Sequence, residues 1–309
     1  MIYTLTLNPA VDRELLVDRI SFDTVLRAGE FRVDCGGKGF NVSRMLKAMN
    51  VDSTALGFAA GKAGKFLRES LNDLGILTDF VWVDGETRTN VSIVSAEDGR
   101  YVKANEPGPV ISPDNIESLL KKIKDLARPG DLWVLAGSLP PGVPASIYSE
   151  TTLILKSTGA RVIIDTSGES LAQSCNAAPY LVKPNDAEAF ALTGMKVDTQ
   201  DDLVKAGRAI CALGPEHVVI SMGKAGAMLV TEDTAFMAHS PEIVAQNPIG
   251  AGDSMVGGLV FGISQNLHIS ESLALGIACG ASTASRKGTD IGSRDQVNTL
   301  LSRVKISKL

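Results

Sequence analysis

The sequence predicts an α/β fold: a three-layer α/β/α core with a mostly parallel sheet, and a small second β-sheet beside it. Three observations carry that prediction. From residue 112 onward, short apolar runs alternate with longer amphipathic ones, the rhythm of a parallel sheet covered by helices on both faces. The glycine-rich and polar clusters each follow an apolar run, so they collect at the carboxyl ends of strands, where such sheets bind ligands. Between residues 80 and 105 the strand-like runs have no helices between them, which marks a separate small sheet. At 309 residues the chain suits a single domain over 1–309, with small-sheet strands from about 12–34 and 80–105.

In chain order, residues 2–7 alternate threonine with aliphatics and read as a strand, ended by Asn8-Pro9. Asp12 follows in a turn, as an Asx-turn residue or a ligand. Residues 15–20 and 31–34 read as strands, and 42–49 as an amphipathic helix with Arg44 and Lys47 on its polar side. A strand over 53–58 leads to a helix over 65–74, capped by Gly75. Strands at 80–83, 88–94 and 101–104 follow, the last two paired across Glu97-Asp98-Gly99. Arg88 and Asn90 lie two apart and share one face, as binding groups or as a solvated edge. Helix 112–126 opens on Ser112-Pro113. Strands 131–136, 161–165, 180–182 and 217–221 then alternate with helices at 145–157, after Glu188, and at 201–213, and 227–230 forms a further strand.

Two stretches have the chemistry of anion sites. Asn247-Pro248-Ile249-Gly250-Ala251-Gly252-Asp253-Ser254 precedes a charge-free run over 255–266 that reads as a buried helix. A helix start offers unpaired N–H groups and the positive end of its dipole. Asp253 at that position reads as a proton acceptor beside a phosphate, or equally as a helix cap. Cys35-Gly36-Gly37-Lys38-Gly39-Phe40-Asn41-Val42 again joins a glycine loop and a lysine to a helix start. It is no Walker A loop, since no Gly-Lys-Ser/Thr closes it. Asn185 and Glu188 are three apart at a helix start, the spacing of a capping box, and Ser221-Met222-Gly223 has the form of a tight turn.

Other chemistries are disfavoured. A net charge of −5 implies no broad basic surface for nucleic acid. The uncharged stretch over 254–270 holds Gln265, Asn266, His268 and several glycines, so no membrane span is expected. Cys35, Cys175, Cys211 and Cys279 are scattered without a CxxC pair, which argues against zinc or a redox dithiol and for reduced thiols in the cytoplasm. Cys35 beside the glycine loop reads as a packed small side chain. His217, His239 and His268 have no nucleophile beside them, which disfavours a histidine triad. A dinucleotide fingerprint is absent after the first strand. Glycine-rich anion sites with a carboxylate base point to phosphoryl transfer to a hydroxyl.

The motifs in order resemble those of the ribokinase-like (PfkB) carbohydrate kinases, in the branch holding 1-phosphofructokinase and tagatose-6-phosphate kinase. They are TLTLNPAVD at the start, GGKGFNVSR from Gly36, GETRTN from Gly85, GSLPPG from Gly137, KPNDAE from Lys183, SMGKAG from Ser221 and IGAGDS from Ile249. The resemblance implies that Asp253 is the catalytic base and that Gly250, Ala251 and Gly252 supply the anion hole for the transferring phosphoryl group. It places Asp12, Gly37 and Asn41 on the sugar, with Ser138 near the same end. Lys38, Arg88 and Asn90 would meet the phosphate already on the sugar. Lys183, Ser221, Gly223 and Gly226 would border ATP, the co-substrate, and Asn185 and Glu188 would position Mg²⁺ mainly through water. The resemblance also implies that the strands near 12–34 and 80–105 form a lid over the sugar site, and a homodimer through that lid sheet.

The expected reaction is fructose 1-phosphate to fructose 1,6-bisphosphate. Tagatose 6-phosphate is the alternative acceptor, followed by fructose 6-phosphate, whose kinases in this family tend to have glycine where Lys38 stands. A non-catalytic sugar-phosphate sensor on the same fold is the reading from another class. The carboxylate of Asp253 argues against it, because a binding protein has no need of a base beside the phosphate.

Overall fold

The computed structural model describes residues 1–288 and 290–309. The first half runs β1 (Ile2–Thr6), β2 (Ala10–Val17), β3 (Ala28–Gly36), α1 (Lys38–Ala48), β4 (Thr54–Ala60), α2 (Gly61–Asp73), β5 (Leu77–Thr78), β6 (Val81–Val83), β7 (Arg88–Ser95) and β8 (Tyr101–Asn105). Then come α3 (Pro113–Leu126), β9 (Leu132–Ala136), α4 (Ile147–Ser157), β10 (Arg161–Asp165), α5 (Gly168–Asn176), β11 (Leu181–Val182), α6 (Asp186–Thr193), α7 (Gln200–Cys211) and β12 (His217–Ser221). The chain closes with β13 (Ala227–Val230), β14 (Ala235–His239), α8 (Ala251–Ser264), α9 (Ile269–Ala284), α10 (Arg294–Leu301) and β15 (Lys305–Lys308).

The large sheet has the order β15-β14-β13-β12-β11-β10-β9-β1-β4-β5, with β6 also on β4. From β12 to β5 its pairs are parallel, while β12 to β15 pair antiparallel. Strands covered on both faces need continuous apolar runs, and β1, β9 and β13 are buried at every residue. One cluster around Trp133, Leu135, Ile164 and Ile220 fills one face, and another around Val134, Ile163, Val256 and Leu259 fills the other. The carboxyl ends of β1, β9, β10, β11 and β12 fall together at Thr6, Ala136, Asp165, Val182 and Ser221, and this edge carries the polar motifs.

The small sheet has the order β3-β2-β7-β8. Cross-strand partners share a face, so its register defines two unlike surfaces. One row runs Asp34–Asp12–Asn90–Asn105 and the next but one Arg32–Glu14–Ser92–Lys103, both polar. On the opposite face run Phe31–Leu15–Ile93–Val102 and Val33–Arg13–Val91–Ala104, largely apolar.

Several boundaries differ from those read in the sequence. The strand expected over 15–20 is β2 and begins at Ala10, so Asp12 sits within a strand and not in a turn. Its polar partners Asp34 and Asn90 form a site-facing row that in one dimension looks like turn chemistry. The strand near 80–83 was assigned to the small sheet; instead β6 pairs parallel with Phe58–Ala60 of β4 and extends the large sheet. The register is reachable because α2 crosses over between them, a helix-linked parallel unit whose second strand is too short to stand out. Helix α1 starts at Lys38, not near 42, and α2 at Gly61, not near 65. Glycines with left-handed or unusual φ, Gly37 at 139° and Gly61 at 60°, turn the chain into those helices at once.

The glycines of α8 set its depth in the core. A Cβ on Gly258 would meet the Leu275 carbonyl and Gly276 of α9, and one on Gly257 would meet Met45 of α1. Their absence lets α8 lie close against both helices. Thr283 Oγ1 donates to Ser254 Oγ at 2.8 Å, and the amides of Gln246 and Asn247 both donate to the Ala284 carbonyl. The start of α8 is thus fixed from the end of α9.

Candidate active site

Gly250 caps α8 with φ 77° and supplies no side-chain acceptor. The N–H groups of Gly250, Gly252 and Asp253 have no partner among the described residues, whereas that of Ala251 donates to the Pro248 carbonyl at 3.2 Å. Ala251 was expected to give its amide to an anion; here that amide closes the turn that exposes its neighbours. Unpaired first-turn amides at the positive end of a helix dipole form an anion site.

Asp253 is buried in that first turn, and its Oδ2 accepts from Asn41 Nδ2 at 2.8 Å. Arg44 in turn donates to Asn41 Oδ1 at 3.1 Å, which fixes the amide's orientation. Burial and then the Asp165 carboxylate push Asp253 up to about 6, against the pull of Lys38, the Asn41 hydrogen bond and Lys183. Lys38 Nζ lies 3.0 Å and Lys183 Nζ 3.2 Å from the same oxygen, Asp165 Oδ1. Burial alone would lower the Lys38 ammonium, but Asp165, Asp253 and Glu188 outweigh it and hold it at about 12. Asp165 is the reverse: burial would raise it, and the two lysines keep it below the usual carboxylate range. The Lys183 ammonium also lies 3.7 Å from where a Cβ on Gly252 would stand, so this cation borders the anion loop. Two cations, three unpaired amides and a carboxylate raised to about 6 therefore meet at one point.

A second group lies on the polar face of the small sheet. Asp12 Oδ1 accepts from Asn90 Nδ2 at 2.8 Å across the β2–β7 pair. A Cβ on Gly36 would collide with the Asp12 carboxylate, and one on Gly37 would press on Thr6. Arg88 Nε donates to the Asn8 carbonyl and its Nη1 to the Glu106 carbonyl, both at 3.2 Å. Burial pushes the Arg88 guanidinium down, with Asp12 offsetting part of that shift. A small pocket joins Asp12, Glu14, Asp34, Ser92 and Lys103 to Ile249 of the anion loop, so the polar face of the small sheet borders the start of α8.

The third group runs from exposed Asn185 and Gly223 to half-buried Glu188 and Ser221. Asn185 and Glu188 form a reciprocal capping box on α6: Asn185 Oδ1 accepts from the Glu188 amide and Glu188 Oε2 from the Asn185 amide, each at 2.8 Å. Ser221 forms a parallel bridge with Asn185, and its amide donates to the Pro184 carbonyl at 2.9 Å. Gly223 and Gly226, with φ 53° and 112°, bracket the turn beyond it. Among the described residues no three His, Cys, Asp or Glu side chains cluster as metal ligands. Glu188 Oε1 stays free of hydrogen bonds in the box, a donor set that fits Mg²⁺ retained on phosphates and reached through water. Ser138 is exposed in the loop after β9, and no described side chain bonds to it.

Asp165 is the residue that sequence reasoning missed. It read only as the last residue of a strand, yet it is 1% exposed and carries both lysines. The available signal was its position: a carboxylate that follows the apolar run Val162-Ile163-Ile164 on the ligand-binding edge. Cys35 is buried and burial pushes its thiol up, which fits the packed side chain expected of it. Two of the histidines make structural contacts, His217 bonded through Nδ1 to the Tyr180 carbonyl and His268 capping α9.

This edge of the fold is that of a carbohydrate kinase. The family model described as pfkB family carbohydrate kinase matches residues 5–296, and the chain belongs to that family. It is 36% identical, over 100% of both chains, to the 1-phosphofructokinase of Bacillus subtilis (strain 168). It is 33% identical, again over 100% of both, to the D-tagatose-1-phosphate kinase of Bacillus licheniformis. The crystal structure of phosphofructokinase-2 from Escherichia coli in complex with fructose-6-phosphate superposes with a TM-score of 0.91 at 30% identity, over 97% of this chain and 98% of that one.

Proposed function

We propose that the chain transfers the γ-phosphoryl group of ATP to a ketohexose phosphate, fructose 1-phosphate first, giving fructose 1,6-bisphosphate and ADP. The observation that carries this reading is the meeting of Asp253 with Lys38, Lys183 and the free amides of α8. The acceptor hydroxyl gives its proton to Asp253 as its oxygen bonds to the γ-phosphorus, and the bond from that phosphorus to the bridging oxygen of ADP breaks. The amides of Gly250, Gly252 and Asp253, with Lys38 and Lys183, balance the charge on the equatorial oxygens. Lys38, which the resemblance set against the phosphate already on the sugar, has Asp165, Asp253 and Glu188 as its charged neighbours, which supports a place beside the travelling phosphoryl group instead. The phosphate already on the sugar falls to Arg88 and Asn90, where a planar guanidinium can donate two bonds. Asp12, Gly37, Asn41 and Ser138 line the sugar, and Ser221, Gly223 and Gly226 the nucleotide. Mg²⁺ bound with ATP would add positive charge on the phosphates; Asn185 and Glu188 would hold its water shell.

The test is coupled ADP release with Mg-ATP across ketose acceptors. The expected result is a kcat/KM on fructose 1-phosphate at least about tenfold above fructose 6-phosphate and free fructose. Tagatose 1-phosphate and tagatose 6-phosphate belong in the panel, since a relative is named for the former. No turnover on any phosphorylated ketose would return the sensor reading to the front.

The outer face of the small sheet supports a homodimer. Phe31 and Val102 are exposed by 67% and 47% and belong to the apolar row away from the site. A second copy placing the same row against this one would cover both. Light scattering at micromolar protein is expected to give twice the chain mass, and Phe31→Asp to return it to one; a native monomer would refute the dimer. Among the described residues no helix is long and apolar enough to cross a membrane. The free thiols and the ATP substrate support a cytoplasmic setting.

A further inference from the structure

We propose that Asn8 is a positioning residue that pins the small sheet to the substrate loop after β9 and so sets where Arg88 stands. The inference rests on the kinase reading above for its kinetic arm only. Asn8 is 5% exposed and lies in the segment that carries the chain from β1 into the small sheet. Its Nδ2 donates to the Pro107 carbonyl at 3.1 Å and to the Leu139 carbonyl at 3.4 Å. Pro107 belongs to the segment by which the chain leaves the small sheet, and Leu139 follows Ser138. Its own carbonyl accepts from Arg88 Nε at 3.2 Å. One asparagine thus ties together the entry to the small sheet, the exit from it, the loop with Ser138 and the guanidinium of Arg88.

The surroundings are built around this side chain. Gly108, next to Pro107, has φ 94°, and a Cβ there would run into Asn8 Oδ1. The same exit segment is held from its far end, where the Ile111 amide donates to the Pro141 carbonyl at 2.8 Å. Arg88 Nη1 reaches the Glu106 carbonyl, and Glu106 Oε2 accepts from the Thr89 amide at 2.7 Å, so any shift of the exit segment is passed to the start of β7. Asn8 Oδ1 is buried without a hydrogen-bond partner among the described residues. An amide is kept there although only its donor half is used, and that is the half that joins two backbone carbonyls from different segments. No other neutral side chain of this size brings two N–H donors to one point.

The experiment uses the full chain with Asn8→Ala, Gly108→Ala and the double variant. Asn8→Ala is expected to raise KM for the sugar phosphate about tenfold, the effect of losing one buried hydrogen-bond link. KM for ATP should stay within about twofold, because the nucleotide side lies on β11 and β12. Gly108→Ala pushes on the same amide and should raise the same KM. In the double variant the methyl group no longer meets the amide and only the strain of a side chain at φ 94° remains, so its KM should rise by less than the two single effects combined. Hydrogen exchange without substrate should quicken over 10–17 and 88–95 in both single variants, with 132–136 and 161–165 unchanged. A lowered melting temperature with an unchanged sugar-phosphate KM and unchanged exchange over 88–95 would overturn the proposal, as would fully additive KM effects. Should the native chain turn over no ketose phosphate, the kinase reading falls and the exchange arm still decides the pin.

Discussion

Asp253→Asn is expected to lower kcat by about 10²–10⁴-fold, the usual worth of a positioned general base, with KM for both substrates little changed. The side chain keeps its shape and its contact with Asn41, so the loss falls on proton transfer and not on binding. The native enzyme should carry a matching pH signature. Asp253 must be ionised to accept a proton, and its carboxyl sits at about 6, so kcat should hold above that pH and fall below it. The same burial has the opposite sign for stability. A carboxyl raised above its unfolded value of 3.8 favours folding while both states are protonated, and that contribution is lost as pH rises through about 6. At pH 7 the folded chain holds an ionised carboxylate at a cost on the order of 2–3 kcal/mol. Asp253→Asn removes it, so the variant should be inactive and more stable at neutral pH, with the gain shrinking as pH falls toward 4. A pH series of kcat with chemical unfolding of both proteins checks this; a variant both active and less stable would rule out Asp253 as the base.

How much of this was legible in the sequence depends on whether a residue's role is local. The start of α8 could be read from Gly250 to Asp253 because a helix start, its amides and its first-turn acid are adjacent in the chain. Asn185 and Glu188 were legible for the same reason, as a cap and its third residue. The parallel core was visible in the alternation of apolar and amphipathic runs. What escaped depends on distant pairings. That β6 extends β4 follows from a register across α2. That Lys38 and Lys183 share one oxygen of Asp165 joins segments that are far apart in sequence and meet only where β10 and β11 end side by side. The two faces of the small sheet are likewise a property of four strands in register, since Asp12 alone looks like a turn residue and Phe31 alone like an exposed aromatic.

Asp165→Asn should be the most damaging change to the fold within the site. One Asp165 oxygen binds two ammonium groups, and Lys183, 6% exposed at its side chain, has little access to water in compensation. Removing one partner of a buried ion pair typically costs about 3–5 kcal/mol, because the charge left behind is uncompensated. The pH sign is that of a depressed carboxyl. The stability from Asp165 is present above its unfolded value of 3.8 and lost only as pH falls through its lower folded value, so native and variant should converge in strong acid. The kinetic consequence is separate. Asp165 is the second contributor, after burial, to the raised Asp253 carboxyl, and the lysines it neutralises pull the other way. Without its charge, Lys38 and Lys183 act on Asp253 with less opposition, and the acid limb of kcat should move below 6 toward the ordinary carboxylate range. The level of kcat should also fall, by about 10²-fold, as the two cations lose the anchor that aims them at the phosphoryl group. Lys183→Met removes one of the cations that lower Asp253 and should move the limb the other way, to higher pH. Opposite displacements by the two variants are a result that general loosening of the site cannot produce. If both limbs stayed at the native position while kcat fell, Asp165 would be a structural counter-ion with no hold on the base.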